Sequence, residues 1–194
     1  MSVDAETLAA YEAAAPRLVE AGPRPVPLQP TFADLLPEGG RVLDLGSGAG
    51  WHLAWFRERG FRADGVEPSR TLAELGAKAH GAEARAGHFL TLSARQRYDA
   101  LWCNFALHHA LRPDRPAIFE RIHTALRPGG WLFLSVPKGP SDWRDSLGRL
   151  MCPYTQGELE DLLVGFDDLR WERDAGETLD GARVLEISVI ARRV

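Results

Sequence analysis

The sequence predicts an α/β fold in which seven mostly parallel strands form one sheet with helices on both faces. Three observations carry this prediction. Short apolar runs, such as VLDL at 42–45 and WLFLSV at 131–136, alternate with stretches of helical periodicity. The run YDALWCNF at 98–105 is apolar enough to be buried on both faces, as a strand inside a parallel sheet is. The chain closes with two strand-like segments, 169–173 and 184–191, joined by a Gly-containing turn, so these two should be antiparallel to each other.

Residues 4–15 read as a helix with Leu8, Tyr11 and Glu12 recurring at three to four, interrupted or ended by Pro16. GPRPVPLQP at 22–30 reads as an extended connector. Thr31 can cap a short helix carrying Phe32, Leu35 and Leu36, closed by Pro37 and Gly39–Gly40. The first strand starts near Arg41, and a helix with Leu53, Trp55 and Phe56 inward stops at Gly60. A second strand spans 63–67, and Ser69 or Thr71 can cap the next helix, with Leu72, Leu75 and Ala79 inward. A weak third strand at 83–86 precedes the fourth at 98–105. A helix over 114–126 buries Ile118, Phe119, Ile122 and Leu126, and a turn at Pro128–Gly130 leads to the fifth strand at 131–136. ELEDLLV at 158–164 is the last helix before the closing hairpin.

The chain has 194 residues, which suits one full-sized domain. Its net charge of −4 does not steer it towards a polyanion, so nucleic acid is not the expected partner. The two cysteines, Cys103 and Cys152, make neither a disulfide framework nor a metal spacing. The N-terminus lacks a signal-peptide pattern and no run approaches the ~18 apolar residues of a membrane span, so a cytoplasmic location is expected.

The chemistry centres on VLDLGSGAG at 42–50. Glycines at every second position, Gly46, Gly48 and Gly50, let the chain turn sharply and bring bare backbone against a ligand. A dinucleotide site uses G-x-G-x-x-G and welcomes a pyrophosphate at the helix N-terminus. Here the spacing is G-x-G-x-G, and Asp44 stands two residues before the first glycine. A carboxylate there repels pyrophosphate and attracts a cation.

At these residues the chain resembles motif I of the class I S-adenosylmethionine-dependent methyltransferases. It looks like the bacterial small-molecule group that includes the ubiquinone/menaquinone-biosynthesis type. The resemblance covers about residues 40–194 and is strongest at 41–69 and 98–136. It implies a Rossmann-like sheet of strand order 3-2-1-4-5-7-6, with strand 7 antiparallel. It also implies S-adenosyl-L-methionine as cofactor, at the carboxyl ends of strands one, two and four, and a small-molecule acceptor. Residues 31–194 would form the methyltransferase domain, with 1–30 covering the site.

By that resemblance Asp44 contacts the methionine amine, and the loop of Gly46, Ser47, Gly48 and Gly50 cradles methionine and ribose. Glu67, 21 residues after Gly46, can accept both ribose hydroxyls, as the acidic residue of an NAD site also does. Pro68 and Ser69 follow at the ribose and adenine edge, and Trp51 could close over the cofactor. Many relatives carry a glycine–aspartate pair at the adenine; here Gly87 is followed by His88, which as a neutral ring can accept through one nitrogen but not as a carboxylate does, and by Phe89, which can pack against the adenine. Asn104, ending the fourth strand, lies beside the methyl donor. It is not followed by the two prolines of the nucleic-acid amino-methylating enzymes. His108 or His109 could take a proton from an acceptor or fix a loop by hydrogen bonding. Acceptor contacts are expected from Tyr11 and from Trp143, Arg144, Arg149 and Tyr154 in the segment after the fifth strand. Two rival readings stay open. One is a non-catalytic nucleoside-binding module; the other is a nicotinamide-dependent oxidoreductase, disfavoured by the glycine spacing and Asp44.

Overall fold

The computed structural model describes residues 3–22, 25–81 and 83–194. In chain order it has α1 (Ala5–Ala21), α2 (Leu28–Ala33), β1 (Arg41–Leu45), α3 (Trp51–Glu58), β2 (Arg62–Glu67), α4 (Arg70–His80), β3 (Ala84–Ala86), β4 (Tyr98–Asn104), α5 (Arg115–Ala125), β5 (Leu126–Pro137), β6 (Trp143–Arg144), β7 (Leu150–Met151), α6 (Gln156–Leu162), β8 (Phe166–Glu177) and β9 (Arg183–Arg193). The main sheet runs β3-β2-β1-β4-β5-β9-β8. Strands β1 to β5 pair in parallel, and β9 is antiparallel to both neighbours. This is the expected order, with β8 and β9 as the sixth and seventh sheet strands. The sequence did not reveal β6 and β7, which form a separate two-stranded ribbon.

Side-chain parity divides the core. Val42, Ala100, Trp102, Phe133 and Ile190 pack on one face against Phe32, Leu53 and Phe56 from α2 and α3. Leu43, Leu45, Leu101, Leu132 and Leu134 pack on the other face against Ile118, Ile122 and Leu159 from α5 and α6. Trp102 and Phe133 stack with centroids 3.9 Å apart. On the α2/α3 face, the next residue of the same parity is polar in each strand: Asp44, Asn104, Ser135 and Ser188. Asn104, Ser135, Ser188 and Glu172 lie in register across β4, β5, β9 and β8. The apolar face therefore turns polar at the carboxyl ends of the parallel strands.

Several local expectations are corrected. Helix α1 continues through Pro16 to Ala21. An interior proline costs about 3 kcal/mol. The packing of fully buried Ala15, with Leu18 and Val19, on Ala49 and Leu72 offsets this cost. Thr31 does not cap α2, which starts at Leu28 without a side-chain cap, so Leu28–Pro30 is helical rather than extended. Pro23 and Arg24 of that connector lie outside the described residues. Ser69 does cap α4, accepting from Leu72 N at 3.1 Å. The expected turn at 128–130 lies within β5, which reaches back to Leu126 across a bulge opposite Tyr98–Ala100.

Candidate active site

The glycine loop leaves β1 and bonds to the end of β2: Gly46 N and Ser47 N both donate to Val66 O, at 2.8 and 3.1 Å. Gly46 has φ 82°, and a Cβ there would lie 2.4 Å from Ala106 Cβ, so only glycine fits. Gly48 has φ 55°, and a Cβ there would meet nothing within 4 Å; its bare backbone faces open space. Gly48 N donates to Glu67 Oε2 at 2.8 Å, and Ser69 N donates to Glu67 Oε1 at 2.9 Å. Glu67 is thus fixed between the loop and the start of α4, with lone pairs left on both oxygens.

Two carboxylates are buried here without a counter-ion. Asp44 is 1 % exposed and its Oδ2 has no hydrogen-bond partner. Burial first, and the charge of Glu67 second, push the Asp44 carboxyl up to about 8. Burial likewise pushes Glu67 up to about 7, against the opposing hydrogen bonds from Ser69 and Gly48. Two acids strained in this way favour a cationic ligand and oppose a diphosphate.

Loop and carboxylate open into a cavity of about 750 Å³. Its far side is formed by α1, the 104–109 segment and the β8–β9 hairpin. Gly46, Ser47, Gly48, Glu67, Pro68 and Phe89 line the side next to the glycine loop. Asn104, His108, His109, Tyr11 and Arg149 line the rest.

The two histidines are chemically different. His109 Nδ1 donates to Leu150 O at 2.8 Å, which leaves Nε2 to accept from Tyr11 OH at 2.9 Å. The Tyr11 oxygen in turn accepts from Arg149 Nη1 at 2.9 Å, and Arg149 is doubly bonded to Asp145 at 2.8 and 2.6 Å. Every polar atom of His109 is engaged, so it is a tie that holds α1 over the cavity rather than a base. His108 is 2 % exposed and its Nδ1 has no partner. Burial, with the nearby His109 and arginine charges, keeps it neutral, well below the ordinary histidine range.

The structure does not bring every expected residue to the cavity. Asp44 lies beneath the loop, not on the cavity wall, because its strand parity turns it under α3. Gly50 also stays out; it is the left-handed start of α3. His88 is off the wall and is tied to the turn by its backbone N–H, which donates to Thr91 Oγ1. Tyr154 is fully buried in the core, its OH donating to Leu107 O and its ring under Arg115. Arg144 points to Asp4 and Glu6 on the surface, and Trp143, beside it in the ribbon, does not line the cavity. Sequence reasoning missed His52, Phe105, Ser135, Ser188 and Glu172, all on the wall. Strand parity counted outwards from Phe133 and Ile190 would have found the two serines. Phe105 adopts φ 50°, a left-handed strain that no residue type announces.

A seven-stranded sheet with one antiparallel strand and an acid-flanked glycine loop at its carboxyl edge defines a nucleoside-cofactor enzyme of the class I methyltransferase type. A methyltransferase-domain family model matches residues 16–176, and the chain belongs to that family. It is similar to the ubiquinone biosynthesis O-methyltransferase of Leptothrix cholodnii, with 30% identity over 170 residues, 80% of this chain and 72% of that protein. It is also similar to the trans-aconitate 2-methyltransferase of Deinococcus radiodurans, with 30% identity covering 81% of this chain and 64% of that protein. Among solved structures, the 1,6-didemethyltoxoflavin-N1-methyltransferase of Burkholderia thailandensis, with S-adenosylhomocysteine bound, shares the fold. Its TM-score is 0.74 at 24% identity, over 98% of this chain and 88% of that one. The cyclase SpnF shares the fold equally well, with a TM-score of 0.76 at 19% identity, over 100% and 98%. The protein is an S-adenosylmethionine-dependent methyltransferase, and the nicotinamide reading falls away.

Proposed function

We propose that this enzyme methylates a small molecule held between the glycine loop, α1 and the β8–β9 hairpin. The observation that carries the reading is the pair of buried carboxylates behind a glycine loop that opens into one cavity of about 750 Å³. S-adenosylmethionine, when bound, supplies an activated methyl group on a sulfonium, so the chain's own task is alignment and exclusion of water. Backbone of Gly46, Ser47 and Gly48 would cradle the methionine and ribose, and Glu67 would accept from the ribose hydroxyls. Asp44 would act from below by charge rather than by contact. Pro68 and Phe89 would border the nucleoside, and Asn104 would face the methyl donor. His108, a neutral ring on the cavity wall, would border the acceptor. Helix α1, pinned through Tyr11 to His109 and Arg149, would form one wall of the closed complex.

The reading includes a cytoplasmic enzyme that does not act on nucleic acid. The net charge of −4 supports the second part, and two buried free cysteines support the first. Among the described residues no helix is long and apolar enough to cross a membrane. Two measurements test the reading. Calorimetry should show S-adenosylhomocysteine binding to the full chain, and labelled methyl should pass from S-adenosylmethionine to a compound in a metabolite extract. No binding, or no transfer to any small molecule of the extract, overturns the reading.

A further inference from the structure

A second polar chain in the cavity wall ends on Asn104, and its other two members have no part in the chemistry above. Gln29 in α2, His52 in the first turn of α3 and Asn104 at the end of β4 form a line. His52 Nδ1 is 3.1 Å from Gln29 Oε1, and His52 Nε2 is 3.3 Å from Asn104 Nδ2. The His52 ring packs on Trp102, with centroids 5.4 Å apart. Gln29 is 5 % exposed and does not line the cavity, whereas His52 and Asn104 do.

The polarity of this line follows from its acceptors. A carbonyl oxygen only accepts, so Nδ1 must carry the ring proton. A neutral ring then offers only the Nε2 lone pair, which takes an N–H from the Asn104 amide. With its NH₂ group turned to the ring, Asn104 has no protein partner at Oδ1, and that oxygen is not among the buried polar atoms. We propose that His52 is a positioning residue: locked as the Nδ1–H tautomer by Gln29, it fixes the Asn104 amide with Oδ1 presented to a hydrogen-bond-donating ammonium group in the cavity. The cofactor carries such a group at its amino-acid end, so this inference rests on the reading above. Position favours that end, since Asn104 lies two residues beyond Trp102, the β4 partner of Asp44. Burial supports the arrangement by holding the His52 ring down to about 4, so the lone pair persists at neutral pH.

Nitrogen NMR of the full chain, labelled at histidine, tests the lock directly. His52 should show the Nδ1–H tautomer and remain neutral down to about pH 5. In Asn104→Asp the facing group can only accept, so His52 should gain a proton and titrate above about pH 7. Gln29→Leu, off the cavity wall, should weaken S-adenosylhomocysteine binding by about 10-fold. Gln29→Glu, whose carboxylate draws a second proton onto the ring so that Nε2 donates and turns the Asn104 oxygen away from the cavity, should weaken it comparably. An Nε2–H tautomer in the natural chain, or a His52 in Asn104→Asp that stays neutral at pH 7, overturns the proposal. So does undiminished binding in a folded Gln29→Leu. If that variant does not fold, the NMR outcomes decide. If the natural chain binds no S-adenosylhomocysteine, the functional reading fails while the tautomer still judges His52.

Discussion

Within residues 46–68 one short stretch of chain supplies most of the side of the cavity proposed for the cofactor, whereas the side proposed for the acceptor draws on Tyr11, His108, Arg149, Glu172 and Ser188 from widely separated segments. The first half works through backbone: left-handed glycines, amides turned onto Val66 and Glu67, and a carboxylate beneath. The second half works through side-chain pins between elements that meet only when the chain is folded, such as Thr7 Oγ1 accepting from Leu150 N at 2.8 Å. Damage to the first half should therefore cost cofactor affinity. Damage to the second should loosen α1 and leave that affinity in place.

Gly46→Ala presses hardest on this contrast. Left-handed strain and the clash with Ala106 together should cost about 2–5 kcal/mol of stability and abolish S-adenosylhomocysteine binding. Denaturant unfolding and calorimetry read both. Asp44→Asn keeps the shape and removes the charge; cofactor-product affinity should fall roughly 10–100-fold. Unchanged affinity would mean that the loop backbone alone holds the ligand.

The same carboxylates make a pH prediction. Asp44 and Glu67 titrate higher folded than unfolded, so each holds more protons in the folded chain between about pH 4 and about 8, whereas His52, His108 and His109, depressed by burial, hold fewer below about pH 6.5. The two effects oppose one another in the lower half of that window, and above about pH 6.5 the carboxylates act alone, so the stability of the ligand-free protein should fall as pH rises from there to about 8 and level off above it. Asp4 and Asp180, held down to about 2 by hydrogen bonds from Arg144 and Thr178, act only below the window. Binding an ammonium ligand at pH 7 should release protons, visible as a buffer-dependent heat.

Tyr11→Phe tests the far half. Losing the bridge between His109 and Arg149 should cost about 1–2 kcal/mol of stability and slow methyl transfer, with S-adenosylhomocysteine affinity nearly intact. An affinity loss as large as that of Asp44→Asn would erase the division between the halves. The smallest effect is expected for Arg144→Ala. Its exposed pair with Asp4 is off the cavity, so neither affinity nor turnover should change measurably.

The glycine loop, Asp44 and Glu67 were legible because their signal is local: a spacing, a strand end, a carboxylate. The sheet order was legible through the resemblance and the closing hairpin. Tyr154, Trp143 and Arg144 were misplaced for a shared reason. They sit in a segment rightly assigned to the carboxyl edge of the sheet, but residue type does not say whether a side chain turns into the core, the surface or the cavity. Tyr154 turned inward to meet Leu107 O and Arg115. His108 and His109 look equivalent in sequence, and only Tyr11 and Leu150, far off in the chain, distinguish them.

The sequence by itself determined the alternation of strands and helices, the sharp turn at Gly46 and the negative charge beside it. These depend on backbone sterics and on residues within one or two turns of each other. Tertiary structure alone decided which histidine keeps a free nitrogen, which arginine is neutralised and which tautomer His52 holds. Those properties depend on burial and on hydrogen-bond partners supplied by distant segments, and neither exists until the sheet and α1 have come together.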